Sequence, residues 1–137
     1  MTTLYMLDTD TASYAISGRS PEVRARLAQI LRTTIYISAV TRGELLFGVH
    51  RLPPTHPLQS RVREFLDEFP ALPWEANAAD IYAEIRFRLE RLGRPIGQLD
   101  MMIAAHAMAI DAVLVTNNVR HFERIGPPLM LENWHRD

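Results

Sequence analysis

A three-layer α/β fold is what this chain predicts, and three observations predict it. Short runs that are apolar at every position recur along it, helix-forming segments separate them, and Pro or Gly marks the junctions. Strands covered on both faces lose the in-and-out alternation of a half-exposed strand, so such runs point to a parallel sheet between helices. Strand–helix alternation then implies right-handed crossovers. At 137 residues the chain has the length of a single domain, residues 1–137, and enough material to bury a real core.

Leu4-Tyr-Met-Leu7 is the first such run, with Asp8 directly after it. Ser20 before Pro21 and Glu22 reads as an N-cap with proline at the first helical position, opening a helix to about Arg32. Ile35-Tyr-Ile-Ser38 is the second strand, and residues 40–50 have helical character until Pro53-Pro54 stops them. Leu58, Val62, Phe65, Leu66 and Phe69 form an apolar stripe at helical spacing, suited to core or dimer packing rather than to a ligand. Leu72-Pro-Trp74 is a weaker strand candidate. Residues 75–92 form the longest helix, ended by Gly93 and Pro95. Residues 99–110 are rich in Ala and Met and should be a buried helix. Ala112-Val-Leu-Val-Thr116 repeats the strand signature, residues 119–125 give a turn or two of helix, and Leu129-Met-Leu131 is a last short strand. The loop around Pro53 and Pro54 is too short for a domain linker.

Charge is nearly balanced, with 15 basic against 16 acidic residues, yet every basic residue is Arg and there is no Lys. A Walker A loop and Schiff-base chemistry both need Lys and are excluded. Cys is absent too, which excludes thiol nucleophiles, Cys-ligated zinc, iron–sulfur clusters and disulfides. The N-terminal residues show no basic region leading into an apolar run, and no apolar stretch nears ~18 residues. A cytoplasmic protein without a membrane segment is the expectation.

In an open parallel sheet the ligand site lies beyond the carboxyl ends of the strands. Acids and amides collect there. Asp8 and Asp10 follow the first strand, Glu44 comes six residues after Ser38, Asp100 opens the Ala-rich helix, and Asn117 and Asn118 follow Thr116. Each has a plainer reading: Asp8, Asp10 or Asn118 could cap the next helix, and Asp100 could be a first-turn acid favoured by the helix dipole. Glu44, however, has Val40 and Phe47 on its face, and Asp100 leads Ile103, Ala104 and Ala107. Carboxylates on core-facing stripes are uncommon unless paired or bound to a cation. Two of them ~4 Å apart repel by about 4 kcal/mol at an effective dielectric near 20. Hard oxygen donors suit Mg²⁺ or Mn²⁺, which activate water and stabilise charge on a phosphoryl group. On these grounds alone the site is an acidic, metal-binding edge of an α/β sheet.

Four segments in order carry a family resemblance: Leu7-Asp-Thr-Asp10, Thr41-Arg-Gly-Glu-Leu-Leu-Phe-Gly48, Gly93-Arg-Pro-Ile-Gly-Gln-Leu-Asp-Met-Met-Ile-Ala-Ala-His106 and Val115-Thr-Asn-Asn118. The chain resembles PIN-domain ribonucleases, specifically VapC toxins of type II toxin–antitoxin pairs, over nearly its whole length. The resemblance implies a five-stranded parallel sheet and Mg²⁺-dependent RNA cleavage, with Mn²⁺ as a substitute. It also implies repression by a VapB antitoxin and a homodimer within a larger toxin–antitoxin assembly. Carried over by position, Asp8, Glu44 and Asp100 would be the metal carboxylates. Asn118 stands where many relatives have a fourth Asp, Thr116 would be a supporting hydroxyl, and Asp10 holds a position often occupied by Asn or Ser. The Gly-Arg-Pro-Ile-Gly and Thr-Asn-Asn variants look most like the enteric branch, whose members cut initiator tRNA in the anticodon loop. With a neutral amide at Asn118, one ion held by Asp8 and Asp100, with Glu44 positioning or deprotonating water, is the expected arrangement.

Two other readings fit parts of the chain. Asp8-Thr-Asp10-Thr11 matches the DxDxT opening of haloacid-dehalogenase-like phosphatases, but those use a Lys that this chain lacks. A PIN scaffold that binds RNA or a partner without cutting draws support only from Asn118. Arg86, Arg88, Arg91 and Arg94 crowd the end of the long helix, where Glu84–Arg88 and Glu90–Arg94 could pair at i,i+4. Arg94, Arg120 and His121 are the candidate RNA contacts, whereas His106 reads as structural. Setting aside the three metal carboxylates leaves thirteen acids against fifteen Arg, a surface of about +2 able to meet RNA phosphates.

Overall fold

The computed structural model describes residues 2–135; Met1, Arg136 and Asp137, at the ends of the expected single domain, lie outside the described residues. Five strands form one parallel sheet: β1 (Leu4–Leu7), β2 (Ile35–Ser38), β3 (Ala71–Leu72), β4 (Ala112–Val115) and β5 (Met130–Glu132). Their order is β3-β2-β1-β4-β5. The chain therefore builds outward from β1 in one direction, then returns to β1 on its other side with β4. Leu7 lies opposite both Ile37 and Val115 in register, so the residues after β1 and β4 emerge side by side. That is the crevice where open α/β sheets bind ligands.

Side-chain alternation along the strands feeds two separate cores. Leu7, Ile35, Ile37 and Val115 pack with α1 (Thr9–Ser17), α2 (Pro21–Gln29), α3 (Ala39–His50) and α4 (Pro57–Glu68). Met6 and Leu114 point the other way, into Ile85 and Leu89 of α5 (Ala76–Arg91) and Ile103, Ala104 and Ala107 of α6 (Gln98–Ala109). Three fully apolar strand runs are thus explained by burial on both faces. Val62, Phe65 and Leu66 of α4 are core residues, as their spacing implies. No helix among the described residues is long and apolar enough to cross a membrane.

Several elements differ from the sequence expectation. α1 carries four Ser or Thr in nine residues, poor interior helix formers, so no helical period marks it. It is held by its ends. The Asp8 carboxylate caps it through Thr11 N (2.8 Å), and Gly18, at φ 74°, closes it by donating its N–H to Tyr14 O. α2 stops at Gln29 because Ile30 turns extended and packs on the core before a short 3-10 turn at Arg32–Thr34 leads into β2. On α5 the ion pair formed is Arg86–Glu90 (3.0 Å), not the two expected from spacing. Arg88 instead donates to Ile125 O (2.7 Å), and Arg94 lies beyond the helix, which ends at Arg91 before Gly93 turns the chain at φ 66°.

A buried polar hinge ties the layers together. Ser38, fully buried at the end of β2, caps α3 by accepting from Val40 N (3.1 Å) and meets His106 Nδ1 of α6 (2.8 Å). His106 is structural: burial holds its imidazole below its ordinary pKa, with Glu75 opposing weakly. Ser38→Ala removes a cap and strands a buried ring nitrogen, so a loss of about 2–3 kcal/mol is expected. Urea unfolding should show a lowered midpoint with an unchanged slope.

Candidate active site

Asp8 is the deepest of the site acids, 4 % exposed, at the carboxyl end of β1. The sheet fixes its backbone: Asp8 N donates to Val115 O (3.0 Å) across to β4. Its side chain caps α1 and faces Thr116, which follows β4 and is itself fully buried. Thr116 Oγ1 accepts from Asn118 N (2.9 Å), so the turn after β4 orients this hydroxyl while the hydroxyl serves Asp8. Burial pushes the Asp8 carboxyl up to about 6; the hydrogen bonds from Thr116 and Thr11 oppose that rise, and the charge of Asp10 adds to it.

Glu44 reaches the same edge from α3. Its Oε1 accepts from the Thr9 hydroxyl (2.6 Å), which also lies 3.2 Å from the Thr41 hydroxyl. Thr9 adjoins Asp8, so this bond links the second acid to the first. The apolar stripe proposed around Glu44 is only half present. Phe47 is 62 % exposed beneath the Arg51 guanidinium (5.0 Å), because that side of α3 faces solvent rather than the sheet. Glu44 is accordingly half-buried.

Asp100 stands in the first turn of α6, where the helix dipole favours an anion. Burial raises its carboxyl above the ordinary range, His121 lowers it, and Asp10 raises it again. Asp10 thus acts on both Asp8 and Asp100, a placement its sequence position alone does not reveal. His121 Nε2 lies 3.2 Å from Asp100 Oδ2, with the imidazole side chain 21 % exposed and the carboxylate 44 %. Asn118 precedes α7 (Val119–Phe122), but its side chain makes no cap bond, which overturns the capping reading; the residue is exposed, and its backbone N–H bonds Thr116 Oγ1. Arg94 and Arg120 are exposed nearby in the chain, before α6 and in α7.

Whether these residues suit a divalent cation is a question of donors. Among the described residues no three acidic or imidazole side chains are grouped so that they could hold a metal ion together, so Asp8, Glu44 and Asp100 do not form a three-carboxylate cluster here. Mg²⁺ does not need one; it is commonly held by one or two carboxylates, keeping waters and substrate phosphate in its other positions. Asp8 and Asp100, two hard carboxylates that burial destabilises as anions, offer donors of the kind that mode uses.

The Asp8 shift has a consequence for stability. Its folded carboxyl titrates above the unfolded one, so the folded state holds the proton more tightly. The resulting destabilisation is absent below about pH 4, grows between pH 4 and 6, and is complete above that. Metal-free Asp8→Asn, which keeps the cap, should therefore exceed the unsubstituted chain in stability at pH 7 by on the order of 2–3 kcal/mol. The two should converge by pH 4 in urea unfolding followed across pH.

Comparison with known proteins places the chain in a family. The PIN domain family matches residues 5–126. Ribonuclease VapC2 of Rickettsia felis is 38% identical over 134 residues, 97% of this chain and 99% of the relative. The tRNA(fMet)-specific endonuclease VapC of Salmonella typhimurium is 37% identical over 131 residues, 95% of this chain and 97% of the relative. The crystal structure of DNA-bound VapBC from Salmonella typhimurium superposes with a TM-score of 0.89 at 34% identity, covering 97% of this chain and 99% of that one. With a family match over most of its length and relatives alike from end to end, the chain belongs to the PIN domain family, in its VapC group.

Proposed function

We propose that this protein is a metal-dependent endoribonuclease, the toxin of a VapBC-type pair, and that it cuts RNA at the edge where β1 and β4 end. One observation carries the reading. A carboxylate, Asp8, is buried at the carboxyl end of β1 where its own anionic form is disfavoured, with Glu44 bonded to the adjacent Thr9 and Asp100 sharing the field of Asp10 with it. Proteins keep such an arrangement for chemistry rather than for stability.

Asp8 and Asp100 would hold Mg²⁺, or Mn²⁺ in its place, and the ion would supply charge stabilisation at the phosphoryl oxygens. Thr9 restrains one oxygen of Glu44, leaving the other to orient the attacking water and take its proton. As water adds to phosphorus the bond to the ribose oxygen breaks, and that oxygen is protonated from solvent. Thr116 keeps the Asp8 carboxylate oriented throughout. Arg94 and Arg120 lie exposed where they can meet RNA phosphates.

The Salmonella relative named for tRNA(fMet) supports initiator tRNA as the substrate. Cleavage in the anticodon loop, with loss of translation as the outcome, is the rest of the proposal, as the family resemblance implies. The solved VapBC structure supports a VapB-type antitoxin as the partner. Repression by that antitoxin and a toxin homodimer within a larger complex complete the proposal, as the family resemblance implies.

Purified protein should cut initiator tRNA, EDTA should stop the cleavage, and Mg²⁺ or Mn²⁺ should restore it. Asp8→Asn, Glu44→Gln and Asp100→Asn should each lose about 3 kcal/mol or more of transition-state stabilisation, at least a hundredfold in rate, while remaining folded. Cleavage by Asp8→Asn at the unsubstituted rate, or cleavage indifferent to EDTA, contradicts the nuclease mechanism. Equal cutting of elongator tRNAs contradicts the substrate alone.

A further inference from the structure

His121 lies on an element that supplies none of the three acids, yet its imidazole touches one of them. Nε2 stands 3.2 Å from Asp100 Oδ2, across 21 residues of sequence. The ring is not loose. Phe122, 1 % exposed, packs edge-on against it with centroids 5.4 Å apart and planes at 85°. His121 N also donates to Asn118 O, anchoring this residue to the turn that carries Thr116 and Asn118. The imidazole is the more enclosed member of the pair, and much of Asp100 still faces solvent.

Carboxylates that ligate metals are themselves commonly held by outer hydrogen bonds that fix their orientation, and losing such a partner costs about 10–100-fold in metal affinity or activity. Asp100 needs one. It sits on the first turn of α6 after the Gly97 cap, and its side chain is nearly half exposed. We propose that His121 is a positioning residue for Asp100, donating its Nε2–H to one carboxylate oxygen so that the carboxylate is presented to a divalent cation. This rests on the metal-dependent reading above. An imidazole committed in this way couples the turn after β4, which already orients Thr116 toward Asp8, to the acid of α6. The two carboxylates proposed to hold the ion thus take their orientation from one short segment, residues 116–121.

The test uses the whole chain, freed of metal, at pH 8 and without RNA, with Mn²⁺ alone as the probe. Binding is followed by loss of the electron paramagnetic resonance signal of free Mn²⁺. His121→Ala should weaken Mn²⁺ binding about 10–100-fold, and His121→Gln, whose amide still donates an N–H, should recover most of it. Circular dichroism and urea midpoints verify that both variants are folded. His121→Ala that binds as tightly as the unsubstituted chain overturns the proposal. So does His121→Gln as weak as His121→Ala, the result expected if the imidazole were itself a ligand. Mn²⁺ uptake lost in Asp100→Asn but kept in His121→Ala defeats only the role of His121. Absence of Mn²⁺ uptake by the unsubstituted chain defeats the metal reading with it.

Discussion

The burial of one carboxylate, Asp8, is the constraint around which the rest of this structure is arranged. A carboxylate taken out of water loses hydration that two or three hydrogen bonds only partly replace, so its charged form is disfavoured unless a cation stands nearby. No Lys exists in the chain to play that part. The fold meets the constraint with polar partners instead: Thr11 N at the start of α1 and the Thr116 hydroxyl at the end of β4. These lower the carboxyl without cancelling the effect of burial. What remains is an acid that a divalent cation would stabilise strongly, placed at the sheet edge where a ligand can enter.

Topology does the remaining assembly. Because the sheet grows from β1 in one direction and later returns to its other side, residues 8 and 116 become neighbours although a hundred positions separate them. Helices α3 and α6 start at the same edge and bring Glu44 and Asp100. Small polar groups join the pieces: Thr9 to Glu44, Ser38 to His106, His121 to Asp100. The balanced net charge does not oppose this division, since Asp8, Asp10, Glu44 and Asp100 serve the edge and the basic residues are all Arg, suited to phosphate contact.

Much of this was legible in the sequence, and what was not has physical causes. β1 and β2 appear at their observed limits because burial on both faces leaves a short all-apolar run that few other structures produce. The candidate acids follow from the rule that ligands lie beyond strand ends. Only the capping reading of Asp8 points to α1, because its stability comes from its caps and not from an amphipathic period. The environment of Glu44 was misjudged because helical spacing gives neighbours on one helix, not which face meets the sheet. The ion pairs on α5 were misassigned since Arg88 finds a backbone carbonyl on another segment, a contact that i,i+4 arithmetic cannot see. The pairing of His121 with Asp100 and the reach of Asp10 to two acids are tertiary, and no spacing rule foretells them.

The central claim is that Asp8 is a buried acid whose charge awaits a cation. The carbon-13 shift of its carboxyl, followed through a pH titration with and without Mg²⁺, measures that directly. A midpoint near 6 in the metal-free protein, falling toward or below the ordinary carboxylate value near 3.8 when Mg²⁺ is added, is the result this account requires. An ordinary midpoint that Mg²⁺ leaves unmoved would contradict it.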